Sequence, residues 1–373
     1  MEQTPYYRYN LSLLDKTLQA VKEAVAPSSN FHVHYAIKAN SNPVILDRIC
    51  KAGFGVDCVS GAEVEASLAA GFKADSIAFA GVGKNDREIN LALDADIFCF
   101  NVESVEELQV IQDLAAKKNK TARIAFRVNP NVDAHTNAKI TTGLAENKFG
   151  INMELLDGAI DMALEMSNIE LLGIHFHIGS QITQMEPFRQ LCAKANAINA
   201  RYLERGIRFS ILDMGGGLGI DYTDPIGNPI PDFKAYFDVF RSELKTAPGQ
   251  QVHFELGRSI VAQCGSLITQ VTYVKKGTVK EFAIVDAGFN DLIRPAFYGA
   301  HHAIRNISNT TGAKRKYDVV GPICESSDVF DKDILLTETH RGDYLEILSA
   351  GAYGEVMASQ YNMRSLPKSY FEE

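Results

Sequence analysis

Lys38 is the first residue of this chain whose type and setting could do chemistry. It ends the apolar run His34-Tyr35-Ala36-Ile37-Lys38, part of a strand that starts near Phe31, and the turn-forming Asn40-Ser41-Asn42-Pro43 follows closely. An ammonium held away from water is costly. Burial at a strand end lowers the lysine pKa and leaves a fraction as neutral amine, the form that attacks a carbonyl to give a Schiff base. The ordinary alternative is a lysine that simply surfaces there. What the rest of the chain brings to the same place decides between the two.

The elements that would position such a residue follow a regular rhythm. Short apolar runs occur at 32–37, 55–59, 77–80, 97–101, 123–128, 171–178, 211–214 and 252–255, and segments of helical periodicity separate nearly all of them. About eight strands alternating with helices is the pattern of parallel βαβ units, and eight of them close into a (β/α)8 barrel of the TIM type. A doubly wound open sheet competes, but no GxGxxG follows the first strand. After about Leu256 the rhythm changes to β segments separated by Gly, Asp and Asn turns, which predicts a second, all-β domain of Greek-key or barrel-like form. The expected division is a barrel over 12–255 and a β domain over 256–373, joined by a strand from 1–11. The irregular stretch Asn131–Asn147 is long enough to be functional, and it is the candidate for a loop that closes over a site.

Barrels of this kind build their sites at the C-terminal ends of the strands. The predicted strand ends read Lys38, Asp57, Asn101, Arg127 with Asn129, His177 with Ser180, Gly215-Gly216-Gly217, and Glu255 with Arg258. Nearly every end is polar, which argues for one converging site. The glycine run lets backbone N–H groups face a phosphate with no Cβ in the way, although a tight turn alone would also use glycine. A Schiff-base lysine with a phosphate cradle is the binding pattern of pyridoxal 5′-phosphate, whose pyridine nitrogen needs a partner that Glu255 can supply. His175 and His177 share one side of their strand by alternation. A metal pair is conceivable, but no third ligand stands out and no metal is expected; an imidazole stacked on a flat cofactor ring fits the other residues better.

Composition sets the outer bounds. A net charge of −9 disfavours nucleic acid and anionic membrane surfaces as partners. The first residues, Met1-Glu2-Gln3-Thr4-Pro5, lack the basic and apolar regions of a secretion signal, and no apolar run approaches the length of a bilayer span. Six cysteines without CxxC spacing suit mostly buried free thiols in a reducing compartment. The expected location is the cytoplasm.

Seven stretches, in order, carry a resemblance: YAIKAN (35–40), HFHIGSQ (175–181), DMGGGLGIDY (213–222), ELGR (255–258), DAGFNDLIRPAFY (286–298), GPICESSD (321–328) and GAYGEVMASQYN (351–362). The chain resembles the fold-type III, pyridoxal-phosphate-dependent decarboxylases of the alanine racemase-like barrel superfamily, and within them it is most similar to the diaminopimelate decarboxylase family. The resemblance implies that Lys38 carries the cofactor and His177 stacks on its ring, with Asp57, Gly257 and Arg258 in the same binding set. Ser180, Gly215, Gly216, Gly217 and the Tyr353 hydroxyl would hold the phosphate, and Glu255 would pair with the pyridine nitrogen. Arg258, Arg294, Tyr298 and Tyr353 would face the amino-acid substrate, Cys324 would donate or orient a proton, and Glu325 would take the substrate's distal amine. The family is a homodimer in which the Cys-Glu pair reaches the partner's site.

The residue types agree with that substrate class. Two arginines and a tyrosine suit a carboxylate that is kept, because guanidinium grips carboxylate as a bidentate fork. Glu325 suits an ammonium. Together they point to meso-2,6-diaminopimelate, giving L-lysine and CO2. The alternatives are decarboxylation of a carboxylated polyamine of the carboxynorspermidine type, or a non-catalytic relative, which would be expected to lose Lys38, Cys324 or Glu255. Two positions depart from the family pattern, Leu256 for proline in EPGR and Ser327 for glycine in CESGD, with modest geometric effects expected.

Overall fold

A computed structural model of the chain describes residues 2–132 and 148–373. Most of the candidate closing loop, 133–147, therefore lies outside the described residues. The chain separates into two compact units, Leu18–Gly219 with Asp232–Gly257, and Met1–Thr17 with Ile220–Pro231 and Arg258–Glu373.

Strand β1 (Tyr6–Asn10) opens the chain and a helix over Leu11–Val25 follows. The apolar runs then become β2 (Phe31–Ala36), β3 (Gly55–Cys58), β4 (Ile77–Phe79), β5 (Cys99–Val102), β6 (Ala122–Arg127), β7 (Ile169–His175), β8 (Ile211–Asp213) and β9 (Gln251–Leu256). These eight pair in sequence order, all parallel, and β9 closes back onto β2. The expected barrel is present. Its strands are visible in the sequence because a parallel strand is buried on both faces and reads as a continuous apolar run; every residue of β3, β4 and β5 is buried.

The first four strand-to-helix turns of the barrel are held by capping side chains. Asn42 accepts the Val44 N–H with Pro43 beside it, Ser60 accepts from Glu63 and Ser104 from Glu107. Asn85 and Glu88 form a reciprocal capping box. Each cap satisfies orphan N–H groups of a first helical turn and contributes about 1 kcal/mol.

The second unit is one eight-stranded mixed sheet. It comprises β10 (Gly265–Lys276), β11 (Glu281–Val285), β12 (Ile304–Asn306), β13 (Lys314–Val320), β14 (Val329–Thr337), β15 (Tyr344–Ile347) and β16 (Lys368–Glu372), with β1 paired antiparallel to β10 and parallel to β16. The spacing predicts strand from Ser259 onward, yet Arg258–Val261 is a helical turn, closed by the Ala262 N–H on the Arg258 carbonyl at 3.0 Å. Strand begins only at Gly265, which packs against Gly351 too closely for a Cβ. No helix among the described residues is long and apolar enough to cross a membrane.

Candidate active site

Lys38 sits just past the strand that points to it. β2 ends at Ala36, and Lys38 lies in a single 3-10 turn, Ile37–Ala39. Its Nζ donates to Oδ2 of Asp57, which the register Ala36↔Asp57 brings alongside. The sequence reading of a dry lysine needs correction: a third of the side chain is exposed (33 %), whereas Asp57 is fully buried. Burial, then the Glu255 charge, push the Asp57 carboxyl up to about 6 against the pull of Lys38. Asp57 Oδ1 has no hydrogen-bond partner among the described residues. Gly257 packs against Ala36 and Ala39 on either side of the lysine turn, 3.1 and 3.2 Å from where a Cβ would stand.

Glu255, near the end of β9, is buried in the same unit. Its Oε1 accepts from Asn101 Nδ2 at 3.0 Å and its Oε2 lies 3.1 Å from His175 Nε2. Burial alone would raise this carboxyl, but His175, Lys38 and His177 together hold it below the usual carboxylate range. Burial opposes charge on His175 as well, and Glu255 and Asp213 outweigh it, so the His175 pKa is raised. Asp213, at the end of β8, goes the other way: burial and the Glu255 charge push it well above the ordinary value. Sequence alone offers no third ligand-type group beside the two histidines. The fold brings one atom each of His175, Asp213 and Glu255 within 4.8 Å of one another.

His177 lies two residues beyond β7 and receives a long hydrogen bond, 3.5 Å, from the Gly216 N–H. Burial, then the charges of Arg127 and Lys38, lower its pKa well below the ordinary value, so the ring is neutral. The segment bearing Ser180 runs beside the glycine run, with the Ile182 N–H on the Gly217 carbonyl and the Gly219 N–H on the Ile182 carbonyl, both at 2.9 Å. The glycines are dictated by main-chain packing. A Cβ at Gly215 would overlap the Phe176 carbonyl and one at Gly216 the Glu255 carbonyl, while Gly217 has φ +112°. The tight turn and the close approach are both real.

The second unit gathers the cationic residues. Arg258 and Arg294 are each only 5 % exposed. Arg258 Nη1 donates to Tyr222 Oη at 2.7 Å, and its guanidinium stands 5.0 Å from the Tyr353 ring centroid. Arg294 stands 5.4 Å from the Tyr222 ring and 5.8 Å from Tyr298, and it pairs with no carboxylate among the described residues. Its Nε donates to His302 Nε2 at 3.2 Å. Sequence reasoning misses Tyr222 and His302. Tyr222 closes the DMGGGLGIDY stretch, whereas nothing local marks His302. Cys324 and Glu325 are exposed, and Glu325 Oε1 accepts from Tyr361 Oη at 2.8 Å. Leu256 is buried in the β9 ladder opposite Tyr35, so the absent proline is replaced by an ordinary strand residue.

A pyridoxal group needs a lysine, an anion cradle and a partner for its ring nitrogen. The barrel unit has all three donor types in Lys38, the glycine run and Glu255. The open acceptor on Asp57, fully buried beside Lys38, leaves a polar group awaiting a partner at the place where this group would attach. The residues fit it.

Comparison with known proteins agrees. The family described as pyridoxal-dependent decarboxylase, pyridoxal binding domain, matches residues 11–262. A diaminopimelate decarboxylase of Bacteroides thetaiotaomicron is 56 % identical over 368 residues, 99 % of this chain and 95 % of that protein. One from Aquifex aeolicus is 41 % identical over 97 % of this chain and 84 % of its own length. The crystal structure of diaminopimelate decarboxylase from Helicobacter pylori complexed with L-lysine superposes with a TM-score of 0.94 at 41 % identity, covering 100 % of this chain and 92 % of that one. On the strength of these matches and of the site geometry, the chain belongs to the pyridoxal-dependent decarboxylases and, among them, to the diaminopimelate decarboxylase family.

Proposed function

We propose that the chain removes one carboxylate of meso-2,6-diaminopimelate as carbon dioxide and yields L-lysine, the last step of lysine biosynthesis, with pyridoxal 5′-phosphate as cofactor. The observation that carries the substrate class is the buried arginine pair. A guanidinium taken out of water with no anion beside it is destabilising by several kcal/mol, and Arg294 pairs with no carboxylate among the described residues. A substrate that keeps a carboxylate after losing another offsets that cost. A substrate that becomes a diamine does not.

In the barrel unit, Lys38 would hold the cofactor beside Asp57, and Ser180 with Gly215, Gly216 and Gly217 would hold its phosphate. His177 would lie against its ring, Gly257 leaves room beside Ala36 and Ala39, and Glu255 would pair with the ring nitrogen. When bound, the cofactor supplies an electron-withdrawing ring that takes up the electron pair left as carbon dioxide departs. In the β unit, Arg258, Arg294, Tyr298 and Tyr353 are the residues that would hold and orient the retained carboxylate. Glu325 receives the distal ammonium, and the Cys324 thiol moves a proton to the reacting carbon. Exposure of Cys324 and Glu325 supports their serving the site of a second copy of the chain in a homodimer. Work in the cytoplasm agrees with the four buried free thiols.

The test is a substrate series with the purified, cofactor-loaded protein. Carbon dioxide release from meso-diaminopimelate should exceed that from L-ornithine and from carboxynorspermidine by on the order of 10,000-fold, the discrimination expected when buried polar groups are left without their partner. Faster release from carboxynorspermidine would replace the substrate.

A further inference from the structure

Glu255 is held by more than a single hydrogen-bond partner for a ring nitrogen requires. Each of its oxygens already has a protein neighbour, Asn101 Nδ2 on Oε1 at 3.0 Å and His175 Nε2 on Oε2 at 3.1 Å. All three residues are buried, and they stand on β5, β7 and β9, three separate strands of one closed barrel. An ionised carboxylate only accepts, so the hydrogen of this contact sits on His175 Nε2 whatever Nδ1 carries. Asp213 lies within 4.8 Å of both His175 and Glu255, and it is itself tied to the glycine run by the Gly215 N–H at 2.9 Å.

Resting on the cofactor reading above, we propose that His175 and Asn101 are positioning residues that keep the proton on the cofactor's ring nitrogen by making Glu255 the weaker base of the two. A proton shared by two bases resides on the stronger one. A buried carboxylate with no donors has its proton affinity raised by desolvation and would take the proton for itself. Two N–H donors, one on each oxygen, disperse the charge and reverse that order. The ring then stays cationic, which makes it the better acceptor for the electron pair left by carbon dioxide. Each oxygen keeps lone-pair capacity for the ring N–H, because a carboxylate offers about four acceptor positions.

The test uses protein loaded with cofactor labelled with nitrogen-15 in the ring, and reads the ring-nitrogen chemical shift, cofactor content and steady-state kinetics together. The wild type should show a protonated ring nitrogen. In His175→Phe, which keeps the ring shape without the donor, the shift should move toward that of the unprotonated ring. There kcat should fall on the order of 10-fold to 100-fold, the loss typical when an outer partner of a liganding group is removed, with KM within a few-fold. His175→Gln, which retains an N–H donor, should stay closer to wild type. Asn101→Ala should move the shift in the same direction as His175→Phe, and it carries the test if His175→Phe fails to fold. A variant lacking either donor that binds full cofactor and keeps the wild-type shift overturns the inference, as does a cofactor-loaded wild type with an unprotonated ring. A wild type that binds no cofactor overturns the cofactor reading instead.

Discussion

Arg294 Nε donates to His302 Nε2 at 3.2 Å, and His302 Nδ1 meets the Leu348 carbonyl at 2.9 Å. A carbonyl only accepts, so Nδ1 carries the hydrogen and Nε2 is a bare acceptor in the neutral ring. His302 is fully buried, and burial, then the Arg294 charge, lower its pKa to about 3. The ring is therefore neutral wherever the protein works, and it fixes the guanidinium plane while the two Nη groups have no hydrogen-bond partner among the described residues. That is the fork geometry a carboxylate needs. Replacing His302 by Phe should raise KM for meso-diaminopimelate roughly 10-fold and leave kcat within a few-fold, since a small loss of orientation is costly to binding. Steady-state kinetics would show the split.

The same histidine should mark the acid side of stability. Its folded pKa of about 3 lies below the ordinary 6.5. Between those values the unfolded chain takes up a proton that the folded chain refuses, so stability is lost as pH falls through that window. His302→Gln lacks this contribution. Thermal melts from pH 7 down to pH 4 should show wild type losing stability faster than the variant, and parallel curves would contradict the assignment.

The glycines separate into those the fold requires and those it does not. An alanine at Gly216 would overlap the Glu255 carbonyl. Gly216→Ala should destabilise by about 1–3 kcal/mol, the range for forced overpacking, and lower cofactor content. Gly158, exposed in the helix Met153–Glu165, has nothing within 4 Å of where a methyl group would stand. Gly158→Ala should stabilise by about 0.5–1 kcal/mol. Thermal melts of both variants check the contrast.

Cys324 is exposed, so Cys324→Ala should leave the melting temperature unchanged while activity falls on the order of 100-fold, as for loss of a proton-transfer group. If the thiol serves the other subunit of a homodimer, mixing Lys38→Ala with Cys324→Ala protein should regain about a quarter of wild-type activity, because half of the dimers are mixed and each holds one intact site. No regain on mixing would mean that each chain uses its own cysteine.

The barrel and most of its polar strand ends are legible in the sequence because buried parallel strands are apolar throughout, and a polar residue at their tips stands out. Lys38, Asp57 and Glu255 can be picked out that way. Less legible is the manner in which each is held. Lys38 is a third exposed and ion-paired, because β2 stops at Ala36, two residues before it, and register puts Asp57 beside it. His175 and Asp213 gain their meaning only when β7, β8 and β9 lie side by side, which no local pattern announces. His302 lies in an irregular stretch eight residues after Arg294, with no periodicity to mark it. Arg258 reads as the end of a strand and instead starts a helical turn.

The most direct test is lysine formation from meso-diaminopimelate by wild type and Lys38→Ala, each supplied with pyridoxal 5′-phosphate. Wild type should release carbon dioxide and L-lysine in equal amounts and show the absorbance of lysine-bound cofactor, and Lys38→Ala should lose both the absorbance and the products. A wild type that binds the cofactor and leaves diaminopimelate untouched, or a Lys38→Ala protein that still forms lysine at the wild-type rate, would contradict the account.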